Sequence, residues 1–401
     1  MEEVKENEDS TVASLTAEDQ EVLNKIEEGE IDEEAVKSPK SLDEKYNCYH
    51  SQGYVIDPSV GLIYTNYELI SKQRRLVFTL LKQVGRNILS GKSIMNISFP
   101  VYVFEAYSLL DRFASLYNFV PTLLSPIITM TDGLERMKVV VTWVVGSMNL
   151  GISQYKPFNP ILGETLQAQL GEYKVYGEQV SHHPPISSIM VVGKYLKVFG
   201  LHGIIANTYP NSAIATTNGK RIIKLDGEYP VEYEITHPQT QIRGLMLGKR
   251  TFNYNGFIKI SDKSNELYAI IYINPTQQGF LSSLFYRKEH RDDYIKGFIT
   301  KDKSLVENPN SALLNKKGHL SYFEGYWIEE LSIDGKIVWS INNMRSNTLI
   351  SPADKLLSDS SLRADLQALK NNDEAESQRQ KDILEEIQRN DRKLRANAKK
   401  K

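Results

Sequence analysis

The chain of 401 residues has one cysteine, Cys48, and no long hydrophobic run. A single cysteine cannot form an internal disulfide, which excludes the disulfide-stabilised scaffolds of small secreted proteins. The longest dense apolar stretch, Val139 to Val145, falls far short of the ~20 residues that a membrane-spanning helix needs. The N-terminal sequence MEEVKENEDS also lacks the basic and apolar regions of a secretory signal. These absences predict a cytoplasmic protein that contacts membranes only peripherally.

The net charge of -2 conceals an uneven distribution of charged side chains. Residues 1–45 contain 16 acidic and 5 basic side chains, which leaves 34 acidic and 43 basic side chains in the remainder. Because the first segment repels itself and has little to bury, we predict that residues 1–45 form a disordered acidic tail. The moderately basic remainder suits an anionic membrane surface. It shows no basic stripe with interleaved aromatic residues, so we expect no nucleic-acid partner.

Helical periodicity appears in two regions ahead of the centre of the chain. Between Tyr64 and Leu89, apolar residues recur at helical spacing with lysine and arginine on the other faces, which predicts a basic amphipathic helix. Such a helix is most often an ordinary surface helix packed on a core. Two further patterns lie between Tyr107 and Leu150, and the second is apolar around most of its circumference. It is therefore predicted to be buried and to support a sheet.

From Thr165 to about Ile341 the hydrophobic period drops to two, which predicts many short antiparallel strands. About 175 residues of such strands are too many for one flat sheet, so a barrel or a sandwich is expected. Beyond Pro352 the chain becomes polar and helical. Dipeptides typical of hairpin turns punctuate the strands at Asn218-Gly219, Asp226-Gly227, Asn255-Gly256 and Asp334-Gly335.

The most unusual stretch is Glu178 to Pro185, which reads EQVSHHPP. Each proline fixes its own φ and removes a backbone donor, so His182 and His183 are expected at a strand end or a sheet edge. Neighbouring side chains on a strand point to opposite faces, and the other histidines show no ligand spacing, so we predict no metal site. Held imidazoles can hydrogen-bond an anion such as phosphate. From these residues alone, a structural turn is an equally good interpretation.

Three segments resemble the signature motifs of the oxysterol-binding-protein-related family of lipid-transfer proteins. They are EQVSHHPP, the segment KPFNPILGE at Lys156 to Glu164, and KDILEEIQR at Lys381 to Arg389. With the intervening stretches, the resemblance covers roughly residues 73 to 390. It implies an α+β, mainly β fold: a large incomplete antiparallel β-barrel around a lipid tunnel, with an N-terminal lid and helices and a C-terminal helical region. The chain would then be a short member with one lipid-binding domain.

The resemblance also implies how that domain is divided along the chain. Residues 46–401 would form one unit after the acidic tail. Its parts would be an N-terminal segment with an amphipathic lid at 46–92, a helical plug leading into the barrel at 93–160, the barrel at 161–345 and the C-terminal helical region at 346–401. The lid residues would be Leu76, Leu80, Leu81, Val84 and Ile88.

A binding site for the headgroup of phosphatidylinositol 4-phosphate follows from the same resemblance. Taken alone, the three charged residues of the last motif would form a surface ion-pair ladder, because they are spaced four apart on a helix. The family's step Arg-Pro-Asp reads Arg363-Ala364-Asp365 here, and we place it outside the headgroup set. The residues implied to hold the phosphates and the inositol are Lys156, Asn159, His182, His183, Lys381, Glu385 and Arg389.

The implied function is exchange of phosphatidylinositol 4-phosphate for a second lipid, a sterol or phosphatidylserine, between cytosolic membrane faces. We expect a monomer without a cofactor, located peripherally on organelle membranes that include endoplasmic reticulum contact sites. The alternative is a membrane-binding module that senses phosphoinositide without net transport. An enzyme that uses His182 or His183 as a base is disfavoured, because neither a nucleophile elbow nor an H-E-x-x-H motif appears.

Overall fold

The computed structural model describes residues 24, 46–84, 98–275, 290–309, 318–343 and 346–398. The predicted acidic tail, apart from Asn24, lies outside these residues. Among the described helices, none is long and apolar enough to cross a membrane.

The N-terminal part carries most of the helices. They begin where the sequence supplies caps: Ser108 and Asp111 form a capping box, and the side chain of Asp132 accepts a hydrogen bond from the amide of Glu135. The elements are α1 (Asn47–His50), β1 (Tyr54–Asp57), β2 (Gly61–Tyr64), α2 (Tyr67–Val84), β3 (Phe104–Ser108), α3 (Leu109–Ser115), α4 (Gly133–Met148) and β4 (Lys156–Phe158).

The rest of the chain is mainly strand up to residue 340. Alternating buried and exposed positions, as in the β6 pattern around Tyr173 to Val180, show one face turned to the core and one to solvent. The elements are β5 (Thr165–Leu170), β6 (Tyr173–His182), β7 (Pro185–Val192), β8 (Leu196–Thr208), β9 (Ser212–Asn218), β10 (Arg221–Leu225), β11 (Val231–Ile235), β12 (Gln239–Arg243), β13 (Thr251–Asp262), β14 (Leu267–Ile273), β15 (Tyr294–Thr300), α5 (Lys303–Glu307), β16 (His319–Tyr326), β17 (Glu330–Ile333) and β18 (Lys336–Ser340).

Sixteen strands form one antiparallel sheet, while β3 and β4 pair separately and in parallel. Two long strands of the sheet, β8 and β13, each pair with different strands at their two ends. The first part of β8 pairs with β10 and its last part with β9, whereas β13 pairs with β12 at its start and with β11 at its end. The described end strands, β5 and β18, are not joined to each other. This arrangement confirms the predicted large incomplete antiparallel barrel.

The C-terminal region covers the β5 edge of the sheet. Isolated bridges join Thr165 to Asp359 and Gln169 to Ile350. The predicted helices then follow as α6 (Ala364–Lys370) and α7 (Glu374–Ala398). Inside the curved sheet lies α4, with Trp143 and its apolar neighbours fully buried. This confirms the prediction that the second apolar helix supports the sheet.

Two of the four predicted hairpin turns are correct and two are wrong. Asp334-Gly335 joins the paired strands β17 and β18, and Asp226-Gly227 lies in the connection of β10 to β11. Asn218-Gly219 instead joins β9 to β10, which both pair with β8. Asn255-Gly256 lies inside β13, where pairing with β12 ends at Asn255 and pairing with β14 begins at Gly256, which has a positive φ.

Candidate functional site

One cavity of about 560 Å³ opens among α2, β4, the β6–β7 turn and α7. Its volume lies within the range of pockets that hold small organic ligands. All seven residues predicted to bind a headgroup line this cavity, and we call them the mouth: Lys156, Asn159, His182, His183, Lys381, Glu385 and Arg389. Deeper in, β8, β9, β12 and the residue Leu245 supply an apolar surface, the inner wall: Ile204, Ala206, Ala213, Ala215, Ile242 and Leu245.

Lys156 stands at the start of β4 and is held by its neighbours. Its Nζ donates a hydrogen bond to Asn159 Oδ1 at 2.8 Å and lies 4.8 Å from the centroid of the Phe104 ring. Burial, together with the positive charge of Lys381, lowers the pKa of Lys156 to about 8. The side chain is therefore mostly charged at neutral pH, although an anion beside it would make that charge more favourable.

Helix α7 presents three mouth residues on one stripe because they are four residues apart. Lys381 Nζ lies 2.6 Å from Glu385 Oε1, and Arg389 Nη2 lies 2.9 Å from Glu385 Oε2. Lys381 also donates to Ser98 Oγ at 2.7 Å and is only 5% exposed. Arg389 is exposed. The predicted ladder therefore has one end buried at the cavity and the other in solvent.

The histidine pair forms the turn between β6, which ends at His182, and β7, which begins at Pro185. This confirms the expectation of a strand end. The ring centroids of His182 and His183 are 4.6 Å apart. Burial lowers the pKa of both imidazoles, and the charge of Arg392 on α7 acts in the same direction, so both are neutral at pH 7. His182 Nδ1 is buried without a hydrogen-bond partner among the described residues.

Four of the five predicted lid residues belong to α2, and two of them, Leu76 and Leu80, line the cavity. Leu81 and Val84 are in the same helix, and Ile88 lies outside the described residues. Helix α2 is attached to the segment before β4, because Gln73 Nε2 donates to the carbonyl of Gln154 at 2.7 Å. Movement of this helix as a lid stays a prediction.

Arg363 is a further cavity residue that the sequence reasoning placed outside the headgroup set. Its guanidinium is buried and forms ion pairs with Glu164 at 2.8 Å and Asp365 at 2.7 Å. It also donates to the backbone carbonyl of Asn159 at 2.9 Å. Arg363 therefore positions the segment that carries Lys156 and Asn159. In the sequence, the Arg-x-Asp spacing within an otherwise polar segment was the signal that could have identified it.

The mouth combines three cationic side chains with one carboxylate, two neutral imidazoles and an amide. Such a set can bind a multiply charged anion by charge-assisted hydrogen bonds. The inner wall provides only apolar surface, which favours hydrocarbon. Within the described ranges, no group of three histidine, cysteine or acidic side chains could hold a metal ion. The arrangement suits an amphiphile with an anionic head.

Comparison with known sequences identifies relatives that agree with this geometry. The sequence model of the family described as oxysterol-binding protein matches residues 79–401. Oxysterol-binding protein 9 of Dictyostelium discoideum is 31% identical over 356 residues, which cover 87% of this chain and 81% of that protein. Oxysterol-binding protein-related protein 5 of mouse is 27% identical over 343 residues, 80% of this chain but only 36% of that longer protein.

Solved structures share the fold at low sequence identity. The Osh1 ORD domain in complex with cholesterol superposes with a TM-score of 0.61 at 22% identity, covering 96% of this chain and 89% of that chain. The Osh3 ORD from Saccharomyces cerevisiae in complex with PI(4)P gives a TM-score of 0.61 at 18% identity, covering 79% of this chain and 83% of that chain. These similarities establish the architecture of the barrel.

Proposed function

Because the chain belongs to the oxysterol-binding protein family, we propose that it carries one lipid at a time in the cavity. It exchanges phosphatidylinositol 4-phosphate for a second lipid, a sterol or phosphatidylserine, between cytosolic membrane faces. The single observation that carries this proposal is the convergence of the seven mouth residues, drawn from three distant segments, on one apolar cavity.

The mouth supports the assignment of an anionic headgroup. Lys381 is buried, and Lys156 has a lowered pKa, so both cations gain from an anion that replaces lost water. The neutral histidines add hydrogen-bonding groups that are uncharged at pH 7. A phosphate beside them would raise their protonated fraction, because it stabilises the imidazolium form.

The inner wall supports the assignment of hydrocarbon as the second part of the ligand. Each methylene buried there contributes about 0.8 kcal/mol. Either lipid would need this same surface, so the two exclude each other, and unloading one accompanies loading the other. The complexes of Osh3 with PI(4)P and of Osh1 with cholesterol are precedents for both ligand classes in this fold.

The domain and its location are part of the proposal. We infer that residues 46–401 form one lipid-binding unit, since a single core cluster extends from Tyr49 to residues after β18. The unit acts as a monomer, peripherally on organelle membranes that include endoplasmic reticulum contact sites. Anionic lipid is the surface that the basic C-terminal end of α7, with Arg392, Lys393 and Arg395, would meet.

Lipid extraction from liposomes tests the proposal. The wild-type chain is incubated with liposomes that contain phosphatidylinositol 4-phosphate, and the liposomes are then sedimented. The supernatant should contain a soluble one-to-one complex of this lipid with the protein. The double variant His182→Ala with His183→Ala should extract none of this lipid. His290→Ala is the matched control, because His290 is an exposed histidine that stacks on Tyr294, and it should extract normally.

The same assay separates the carrier from the phosphoinositide sensor. A sensor would bind the liposomes through the mouth and leave the acyl chains in the membrane, so no soluble complex would form. Unchanged extraction by the double variant would remove the headgroup assignment. Exchange is tested by adding a sterol or phosphatidylserine to acceptor liposomes, which should accelerate transfer of phosphatidylinositol 4-phosphate towards them.

A further inference from the structure

Next to the inner wall, the buried side chains of His202 and Arg221 meet the partly buried His237 in what we name the inner cluster. His202, on β8, itself lines the cavity. The ring centroid of His237 lies 4.9 Å from that of His202, and Phe113 stacks on His202 at 4.2 Å. The charge of Arg221, at the start of β10, acts on both imidazoles. The cluster is therefore one connected polar group inside an apolar barrel.

Arg221 is a buried cation, and no carboxylate among the described residues acts on it. Only 6% of the residue is exposed, and its Nε has no hydrogen-bond partner in the described structure. The guanidinium carbon lies 5.0 Å from the centroid of Trp143, and the phenols of Tyr117 and Tyr254 are its other polar neighbours. The cation–π contact offsets part of the desolvation cost, but no negative charge in the described part of the chain compensates the rest.

The histidines of the cluster do not supply that charge. Burial lowers the pKa of His202 well below its ordinary value and that of His237 to about 3, so both are neutral at pH 7. His202 Nε2 lies 3.0 Å from the hydroxyl of Tyr117. His202 Nδ1 and His237 Nε2 are buried without partners in the described part of the chain. The cluster thus carries one positive charge and three unpartnered nitrogen atoms.

We propose that the inner cluster is a second polar subsite, which binds the carboxylate of a long-chain amphiphile inserted with that end first. The alkyl chain would lie along the inner wall and point towards the mouth. This inference rests on the proposed function, because it takes the cavity to be a lipid site. It adds a ligand class whose charged end lies at the inner cluster instead of at the mouth.

A carboxylate fits the cluster better than a hydroxyl does. A hydroxyl could hydrogen-bond His202, but it would leave the charge of Arg221 uncompensated. A carboxylate held beside Arg221 compensates that charge through space, which a neutral hydroxyl cannot do. His202 would contact the ligand at the cavity surface, while Arg221 provides the charge beside it.

Calorimetric titration of the full chain with oleate and with oleyl alcohol tests the proposal, since the two probes share their hydrocarbon. Wild type should bind oleate at least about tenfold more tightly, the difference expected for a hydrogen bond to a charged group. Arg221→Gln should bind the two probes about equally. Thermal melting checks that the variant has folded.

The matched control is Arg136→Gln, because Arg136 is also a buried arginine but donates to the carbonyl of Tyr229, outside the inner cluster. It should keep the preference for oleate. The mouth also attracts anions, so Arg389→Gln is measured beside it. If the preference disappears in Arg389→Gln and persists in Arg221→Gln, oleate binds at the mouth and the inner subsite is refuted. Equal binding of both probes by wild type refutes it whether or not any variant folds. Failure of wild type to bind either probe or phosphatidylinositol 4-phosphate would refute the proposed function as well.

Discussion

Arg363 Nη1 lies 2.8 Å from Glu164 Oε2, and this buried ion pair joins the segment before α6 to the end of the KPFNPILGE segment. Arg363→Ala would leave the buried carboxylates of Glu164 and Asp365 without their cation. We expect it to lower the free energy of unfolding by about 3 to 5 kcal/mol. Urea unfolding followed by tryptophan fluorescence measures this change.

Arg379→Ala is the control for that experiment, because Arg379 forms its ion pair with Glu376 on the exposed side of α7. An exposed pair is screened by water, so stability should hardly change. Equal loss of stability in the two variants would show that the Arg363 pair does not hold the segment in place.

The strands could be predicted from the sequence, but their closure into a barrel could not. The alternation of apolar and polar residues shows which face of a strand is buried, and it identified the strand region correctly. It carries no information on distant partners, such as the pairing of β12 with both β9 and β13. The dipeptide Asn255-Gly256 shows the same limit, since it is compatible with a tight turn and with a position inside a continuous strand.

The mouth was predicted by motif, whereas the residues behind it were not. Lys156, His182 and Lys381 belong to segments that resemble family signatures, and the structure places them around one cavity. Arg221 and His202 belong to no such segment. Only the register that sets Arg221 opposite Gly200, two residues from His202, brings them together. Such a cluster can be recognised only once the sheet is assembled.

Lys381 should contribute more to headgroup affinity than Lys393, the other lysine of α7. Its ammonium group is buried at the mouth, so it meets the ligand without competition from bulk water. Lys381→Met should weaken binding of soluble inositol 4-phosphate headgroup analogues by about 10- to 100-fold. Calorimetry gives the affinities, and thermal melting checks the fold.

The control on the same helix is Lys393→Met, because Lys393 is exposed. It removes the same charge from a solvated position, so affinity should change little at moderate ionic strength. If both variants weaken binding equally, general attraction rather than a built site explains the affinity.

Headgroup binding should also weaken as the pH rises above about 8, where the Lys156 ammonium loses its proton. The bound anion raises the pKa of Lys156 in the complex. Above about pH 8, binding therefore requires that Lys156 take up a proton, whereas at lower pH Lys156 is already protonated in both the free protein and the complex. Affinities measured between about pH 7 and pH 9.5 should therefore be level at first and then fall. Lys156→Arg, which stays charged, should flatten the profile; an unchanged profile in that variant would assign the titration to another group.

Leu357 should anchor the protein on membranes. Leu357 is 95% exposed, and its neighbour Leu356 is 54% exposed. The segment that carries them is held on the sheet, because the carbonyl of Ser358 accepts a hydrogen bond from the amide of Thr165 at the start of β5. Burial of one leucine in the interface contributes about 1.5 to 3 kcal/mol, so Leu357→Asp should reduce liposome binding at least about tenfold. Ile337→Asp on β18 is the control, since Ile337 is 63% exposed. Flotation of both variants with anionic liposomes measures the effect, and equal losses would mean that exposed apolar residues act anywhere on the surface.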